Sequence, residues 1–406
     1  MSAPLRAKLP RRLVSYGGVV VLLALLAQAS ISVGTQGLAV VGIFIQRDLG
    51  LTRAELGIFV ALAQASSSVG MLAGGWLSDL LGVRRTTVFG VALIGVALLM
   101  LTTAGTYGAM LPLVLLSGAG NGVAYPAISL AILHWLPVQA RSTAMGFKQT
   151  GATLAGVVLA AGLPPLVEAV GWRAAARLTA VAVLLGALVW GTAYRNGPKR
   201  SVPTHRLSLL SGLLLLRQPG LLSISLFSAA AAAAQFCLFS YLMLFLHESR
   251  GFSLVLAGQV LATAQLGGLL ARIAWGLASD RLLRGARKPV LCVAGGLGAL
   301  ALAAVALLPL EVPAIAFLVA ALLGLTLLAW HGMQQVAVAE LAGPERAAQA
   351  ISVSMMVLQL GAVIGPPLVG LLVDRTSSYE LAWLVLAVLV AVSTGAMALA
   401  WRERVA

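Results

Sequence analysis

Charged residues are scarce in this chain of 406 residues. Aspartate and glutamate together number 12, lysine and arginine 27, and the four types make up 10% of the sequence. In soluble globular proteins the share is about 25%. The composition therefore excludes an ordinary soluble domain. The 60% share of hydrophobic residues and the mean hydropathy of +1.00 indicate a membrane protein instead.

Cysteine and histidine are also rare, with two and four residues respectively. Cys237 and Cys292 both fall in apolar stretches, where a free thiol packs as a small hydrophobic group, so we expect no disulfide. The scattered histidines form no metal-ligand cluster, and together with the carboxylates they offer no nucleophile beside an acid/base pair. We therefore expect no metal, no cofactor and no enzymatic activity.

Twelve apolar stretches of about 20 residues or more are long enough to cross the roughly 30 Å hydrocarbon layer of a bilayer. They lie at 16–45, 53–80, 86–106, 109–135, 142–168, 173–194, 220–247, 254–280, 288–309, 312–340, 347–373 and 380–401. The longest polar segment follows the sixth stretch. The sequence therefore predicts a six-helix bundle at 1–195, a cytoplasmic linker at 196–219 and a second six-helix bundle at 220–406.

The basic residues indicate how the chain is oriented. They concentrate in alternate segments between the apolar stretches, including both terminal segments and the linker. By the positive-inside rule, these segments face the cytoplasm. We expect a multi-pass protein of the inner membrane with both termini cytoplasmic. Because the net charge of +15 is spread over short segments rather than one face, we expect no nucleic-acid partner.

A short motif occurs twice, about half the chain apart. Its first copy runs from Gly75 to Arg85 and its second from Gly276 to Lys288. The paired prolines Pro164-Pro165 and Pro366-Pro367 repeat at almost the same offset. A repeat of this length predicts that the two six-helix bundles are related by pseudo-symmetry, as in many transporters.

Both copies of this motif resemble the loop motif of the major facilitator superfamily, Gly-x-x-x-Asp-x-x-Gly-x-Arg-Arg. The resemblance extends over nearly the whole chain and implies a monomeric carrier that works by alternating access. It also implies a cytoplasmic conformational latch formed by Gly75, Asp79, Gly82, Arg84, Arg85, Asp280, Arg287 and Lys288. The second copy departs from the motif, with Leu283 where the first has Gly82. The alternative is that the basic residues only determine topology.

Two basic residues fall inside predicted helices. Arg272 lies roughly 12 Å from the inner boundary of the eighth helix and Lys148 roughly 10 Å into the fifth, at 1.5 Å per residue. The carboxylates, in contrast, all lie in loops or near predicted helix ends. A charge within the membrane is costly, and two cations, one from each half, would be offset by an organic anion. The alternative for each is that it reaches to the membrane surface.

The chemistry of the two groups favours a carboxylate, because the planar fork of an arginine matches its geometry. The segment around Arg272 also resembles the eighth helix of monocarboxylate and oxalate/formate-type carriers, whose arginine binds the substrate carboxylate. His331 is the only histidine near a predicted helix centre, and we interpret it as the proton-coupling candidate. The alternative for His331 is hydrogen-bonded packing.

In the superfamily the first, fourth, seventh and tenth helices line the central cavity. The resemblance therefore implies further substrate contacts: Gln28, Gln36, Asn121, Tyr125, Gln235, Tyr241, Trp330 and Gln334. Packing between helices is the alternative for each. We expect a secondary active transporter of a small organic anion, a mono- or dicarboxylate, that is embedded in the lipid bilayer. The alternative function is export of drugs or hydrophobic metabolites.

Overall fold

The computed structural model describes residues 11–197, 213–277, 286–343 and 345–401. In these ranges it contains twelve helices that are long and apolar enough to cross a membrane. They are α1 (Arg11–Ser32 and Leu38–Leu49), α2 (Arg53–Leu81), α3 (Val83–Leu101), α4 (Tyr107–Trp135), α5 (Val138–Val170), α6 (Trp172–Ala193), α7 (Pro219–Arg250), α8 (Leu254–Leu277), α9 (Lys288–Leu307), α10 (Pro313–Leu327 and His331–Ala342), α11 (Ala347–Thr376) and α12 (Tyr379–Ala400). The predicted all-α fold of twelve membrane helices is confirmed.

Local sequence explains where several helices begin and end. Thr52 and Glu55 form a capping box that begins α2, each side chain bonding the backbone N–H of the other residue. Gly82, with a φ of 80°, then separates α2 from α3. Because this turn is so short, α3 begins at Val83, earlier than the sequence predicted. Most of the predicted linker at 196–219 lies outside the described residues, and the domain boundaries stay a prediction.

Two of the described helices are interrupted near the middle of their length. In α1 a π-helical turn, Val33–Gly37, separates the two α-helical segments. In α10 residues 328–330 leave the helix, so that α10a (Pro313–Leu327) and α10b (His331–Ala342) are distinct pieces. The tenth predicted span, 312–340, is therefore built from two helical pieces. Interruptions of this kind free backbone groups and often mark functional sites.

The buried apolar side chains form three clusters. One cluster joins the two halves and includes Ile43 and Leu159 of the first half with Val260 and Trp383 of the second. The second cluster, around Val20 to Tyr194, lies in the first half alone. The third, around Leu215 to Trp401, lies in the second half alone. The halves therefore share a core at one end of the molecule and have separate cores at the other.

We call the end with the shared core the outer end, following the predicted topology. The seams between the halves are formed by α2 with α11 and by α5 with α8. Backbones approach closely in these seams: a Cβ on Gly57 would meet the carbonyl of Pro366, and one on Gly258 would meet that of Ala160. Small residues are what permit such contact between membrane helices.

Helices also pack closely within one half, and a substitution of Gly361 in α11 can test this packing. A Cβ there would collide with the backbone of Ala229 in α7, so we expect Gly361→Ala to cost about 1–3 kcal/mol. The control is Gly395→Ala in α12, where a Cβ meets nothing within 4 Å. Thermal unfolding in detergent should show a lower Tm for the first variant alone. Equal Tm values would contradict the packing described here.

Candidate anion site

Arg272 of α8 contacts the interruption of α10. Its Nε donates a hydrogen bond to the carbonyl of Leu328 at 3.3 Å. One turn along, the indole N–H of Trp275 donates to the carbonyl of Leu325 at 2.7 Å. These bonds satisfy carbonyls that the broken helix no longer uses. The Nη1 atom of Arg272 is buried and has no hydrogen-bond partner in the described part of the chain.

Lys148 of α5 is the second cation, and its side chain is buried. Its Nζ donates to the hydroxyl of Ser129 at 2.9 Å. The same atom lies 4.1 Å from the ring centre of Tyr125, a cation–π contact. Both partners belong to α4 and neither carries a negative charge. The charge of Lys148 is therefore not neutralised by the contacts that hold it.

The two cations belong to different halves, and Tyr125 connects them, because it contacts Lys148 and lies near Arg272. Tyr125 of the first half and His331 of the second are both within electrostatic range of Arg272. Within the described ranges, the ion pairs use other basic residues and include neither Arg272 nor Lys148. The structure thus brings four predicted site residues together: Arg272, Lys148, Tyr125 and His331.

His331 is the first residue of α10b. Its ring stacks on that of Trp330 with the ring centres 4.0 Å apart, and its Nδ1 is buried without a partner among the described residues. Trp330 itself is fixed by packing, because its indole N–H donates to the carbonyl of Leu327 and its ring meets Phe227 edge-on. His331 is therefore held beside Arg272 at the start of a half-helix, where partial positive charge accumulates.

The other residues that the sequence predicted to contact the substrate have surroundings different from those of Arg272 and Lys148. Asn121 donates to the carbonyl of Ile31 and accepts from Ser67, which ties α4 to α1 and α2. Gln334 donates to the hydroxyl of Ser354 in α11. Gln28 and Gln235 are buried, and each has an amide oxygen without a partner in the described ranges.

Gln36 lies in the π turn of α1 and joins the two halves. Its Oε1 accepts from Nε2 of Gln265 in α8 at 2.6 Å, and its own Nε2 donates to the carbonyl of Ala152 in α5 at 3.0 Å. A second bond between the halves runs from Nε2 of Gln359 to the hydroxyl of Ser68 at 2.8 Å. Both bonds lie among the membrane-spanning residues.

Three of the predicted latch residues, at the inner end, contact groups of their own half. The Nε of Arg84 donates to the carbonyl of Gly191 at 2.5 Å, and its backbone N–H donates to Oδ1 of Asn196 at 2.9 Å. Arg287 lies 3.7 Å from Glu340, and Lys288 donates to the carbonyl of Trp401 at 2.6 Å. Asp280 lies outside the described residues.

The remaining latch residues lie at and beside the α2–α3 turn, with Gly75 and Asp79 in the last turns of α2 and Arg85 in the first turn of α3. Asp79 and Arg85 are exposed there, and a Cβ on Gly75 would meet nothing within 4 Å. Gly82 makes the turn itself. The latch stays a prediction, because the described residues show these side chains in one arrangement.

An ionic network at the outer end was not predicted from the sequence. The carboxylate of Asp374, at the end of α11, accepts the backbone N–H groups of Arg53 at 3.1 Å and Ala54 at 2.8 Å. It therefore caps the first turn of α2 from the other half, where a negative charge is favourable. The guanidinium of Arg53 bonds Glu248 at 2.6 Å and the hydroxyl of Tyr379 at 2.9 Å.

Tyr241, which the sequence predicted as a substrate contact, belongs to this network. Its hydroxyl lies 2.9 Å from the carbonyl of Arg53 and 2.7 Å from that of Pro366. The network thus includes a basic residue on α2 and acidic and phenolic side chains on α7, α11 and α12. It closes the outer end between the halves.

Comparison with known proteins identifies the family. Residues 22–358 match the family model described as Major Facilitator Superfamily. The chain belongs to this superfamily. It is therefore a membrane transporter rather than an enzyme, and the resemblance seen in the loop motif is confirmed.

Individual relatives carry names of anion carriers. The chain is 29% identical over 157 residues to the probable sulfoacetate transporter SauU of Cupriavidus necator, which covers 38% of this chain and 36% of that protein. It is 22% identical over 281 residues to the probable galactarate/D-glucarate transporter GudP of Bacillus subtilis, with 62% of each chain covered. The chain thus spans less than two thirds of the length of both relatives.

A solved structure supports the fold. The chain superimposes with a TM-score of 0.77 on a bacterial homolog of the human lysosomal transporter Spinster in an inward-facing and occupied conformation. The match covers 96% of this chain and 97% of that one at 19% identity. At this identity the likeness concerns the fold alone.

The outer network provides a test of what holds the halves together. Asp374→Asn keeps the shape of the side chain but removes charge-assisted bonds that are worth about 1.5–3 kcal/mol. We expect the outer end to open in a larger fraction of molecules. Distances between spin labels at Thr103→Cys and Val312→Cys, measured after the native cysteines are replaced by serine, should shift to longer values.

The matched control is Glu311→Gln at the same end of the molecule. Glu311 pairs with Arg250 at 2.6 Å, but both residues belong to the second half. A hydrogen bond with its own backbone, and then the hydrogen bond from Arg250, hold the pKa of Glu311 below its usual range. The control should leave the label distances unchanged. Similar distributions for Asp374→Asn and the unmodified protein would show that the network does not hold the outer end closed.

Proposed function

We propose that this transporter moves a small organic anion, a mono- or dicarboxylate, by alternating access. The observation that carries the proposal is the side chain of Arg272. Its Nε is used by the broken helix α10, while its buried Nη1 has no partner among the described residues. One nitrogen of this guanidinium is held by a hydrogen bond, and another still has an N–H donor that is free within the described part of the chain. Such a group can bind a carboxylate without first having to be positioned.

The charge balance of the region supports an anionic ligand. Lys148 and Arg272 come from different halves, and their observed partners are a hydroxyl, an aromatic ring and a carbonyl. Charges held away from water are costly unless they are paired. An anion between the two cations would offset that cost and would contact both halves at once.

The relatives support the same class of ligand. The names of SauU and GudP specify sulfoacetate and galactarate or D-glucarate, all of which are organic anions. The aligned segments cover only part of each protein, so the particular anion does not transfer to this chain. What we take from these relatives is the chemical class of the ligand.

The distribution of contacts between the halves supports alternating access. The shared apolar cluster and the Arg53–Asp374 network join the halves at the outer end. The other two clusters each lie within one half. If the halves rock about the site, they separate at the outer end and come together at the inner end.

We propose that the inner end faces the cytoplasm, with both termini there, and that the protein acts as a monomer in the inner membrane.

The first test is Arg272→Ala. Removing one partner of a buried charged contact costs roughly 2–5 kcal/mol, so affinity for the anion should fall thirtyfold or more, at roughly 1.4 kcal/mol per tenfold. Thermal stabilisation of the purified protein by a panel of mono- and dicarboxylates, neutral sugars and cationic drugs would measure this loss. Uptake into proteoliposomes should fall in parallel.

The control for this variant is Trp275→Phe in the same helix. It removes a hydrogen bond to α10, from Trp275 Nε1 to the Leu325 carbonyl, but no charge. We expect it to keep its anion-dependent stabilisation. If Arg272→Ala binds carboxylates as the unmodified protein does, the assignment of the site is wrong. A response to apolar or cationic compounds only would favour the drug exporter.

The proton-coupling role of His331 has its own test. His331→Gln cannot carry a proton at this position but keeps a polar side chain. If His331 couples transport to protons, an inward pH gradient should no longer accelerate uptake by the variant, while anion counterflow without a gradient continues. Acceleration equal to that of the unmodified protein would assign the proton to another group.

A further inference from the structure

Gln36 and Gln265 form a hydrogen-bonded bridge within the membrane-spanning region. The amide nitrogen of Gln265 donates to the amide oxygen of Gln36, and Gln36 donates in turn to the Ala152 carbonyl. Gln265 is 5% exposed, so the bridge is largely shielded from water. Each amide offers both donors and an acceptor, which is the hydrogen-bonding pattern that hydroxyl groups complement.

The bridge lies in line with the two cations. On α8, Gln265 precedes Arg272 by seven residues, or two helical turns, so both side chains are on the same face about 10 Å apart. On α5, Ala152 follows Lys148 by four residues, one turn toward the outer end. The bridge is therefore the next polar group beyond Arg272 along α8, and it lies one turn beyond Lys148 on α5.

The bridge has a small space on one side, with room for about one water molecule. A small cavity adjoins Gln36, and its other lining residues include Thr35, Gln64, Phe236 and Phe239. This lining combines polar groups with aromatic rings. Gly156 leaves room for the bridge, because a Cβ there would collide with Gln36 Oε1 and Gln265 Nε2.

We infer that the anion site continues to this bridge as a subsite for hydroxyl groups, and that the transported anion is a hydroxylated one. The inference rests on the proposed function and specifies its substrate class. The charged end of the ligand binds between Arg272 and Lys148. Its hydroxyl groups, up to about 10 Å away, replace the bond between the two glutamines. Ligand binding thereby breaks the direct hydrogen bond between Gln36 and Gln265, and the ligand then connects the two halves instead.

The test compares anions that differ only in hydroxyl groups. Two pairs are suitable, adipate with D-glucarate and hexanoate with D-gluconate, with binding measured by calorimetry on the purified full-length protein. For at least one pair, the hydroxylated member should bind about tenfold tighter, as expected for well-formed hydrogen bonds. Gln265→Leu should abolish that difference, because the hydroxylated member loses its partner at the bridge.

The control is Gln359→Leu, which removes the other glutamine bond between the halves, from Gln359 to Ser68. This variant should retain the preference for the hydroxylated anion. Should Gln265→Leu not fold, Gly156→Ala, which displaces the bridge, should give the same loss of preference. Equal affinities within both pairs for the unmodified protein, or a preference that survives in the bridge variants, would overturn the inference. Absence of binding by any anion would instead overturn the proposed function.

Discussion

A helix in hydrocarbon must satisfy its own backbone hydrogen bonds, and any interruption has to be satisfied by neighbouring groups. The organisation of the candidate site depends on this constraint. When α10 breaks at residues 328–330, side chains of Arg272, Trp275 and Trp330 bond the carbonyls of Leu328, Leu325 and Leu327. The break thus fixes the position of a guanidinium. Arg272 bonds a carbonyl of the broken helix through its Nε, and its buried Nη1, which has no partner among the described residues, is available to a ligand.

The sequence predicts the parts of the structure that depend on composition and length. Twelve apolar stretches become twelve helices, because no other regular structure of that length can satisfy its backbone in lipid. Arg272 and Lys148 can be found because a charge is conspicuous within an apolar stretch. Their proximity to Tyr125 and His331 is consistent with the pseudo-symmetric arrangement of the halves.

Other features of the structure cannot be recognised from the local sequence. The interruption of α10 falls on Leu328, Ala329 and Trp330, which include neither proline nor glycine, so nothing local predicts it. Arg53 and Asp374 look like ordinary charges at helix ends. Their contact depends on how α2 and α11 come together across 321 residues of sequence. Tertiary contacts of this kind cannot be inferred from one sequence without the fold.

The network at the outer end places complementary groups on different halves, with Arg53 and the start of α2 on one and Glu248, Asp374 and Tyr379 on the other. Neither half contains both members of these pairs. The two bundles are therefore not interchangeable modules, despite their pseudo-symmetry. In a chimera that combined one half with the corresponding half of a relative, α2 would keep its own Thr52–Glu55 capping box, but the N–H groups of Arg53 and Ala54 would keep their carboxylate only if the new half carried one at the same place. Recombination of halves during evolution is subject to the same restriction.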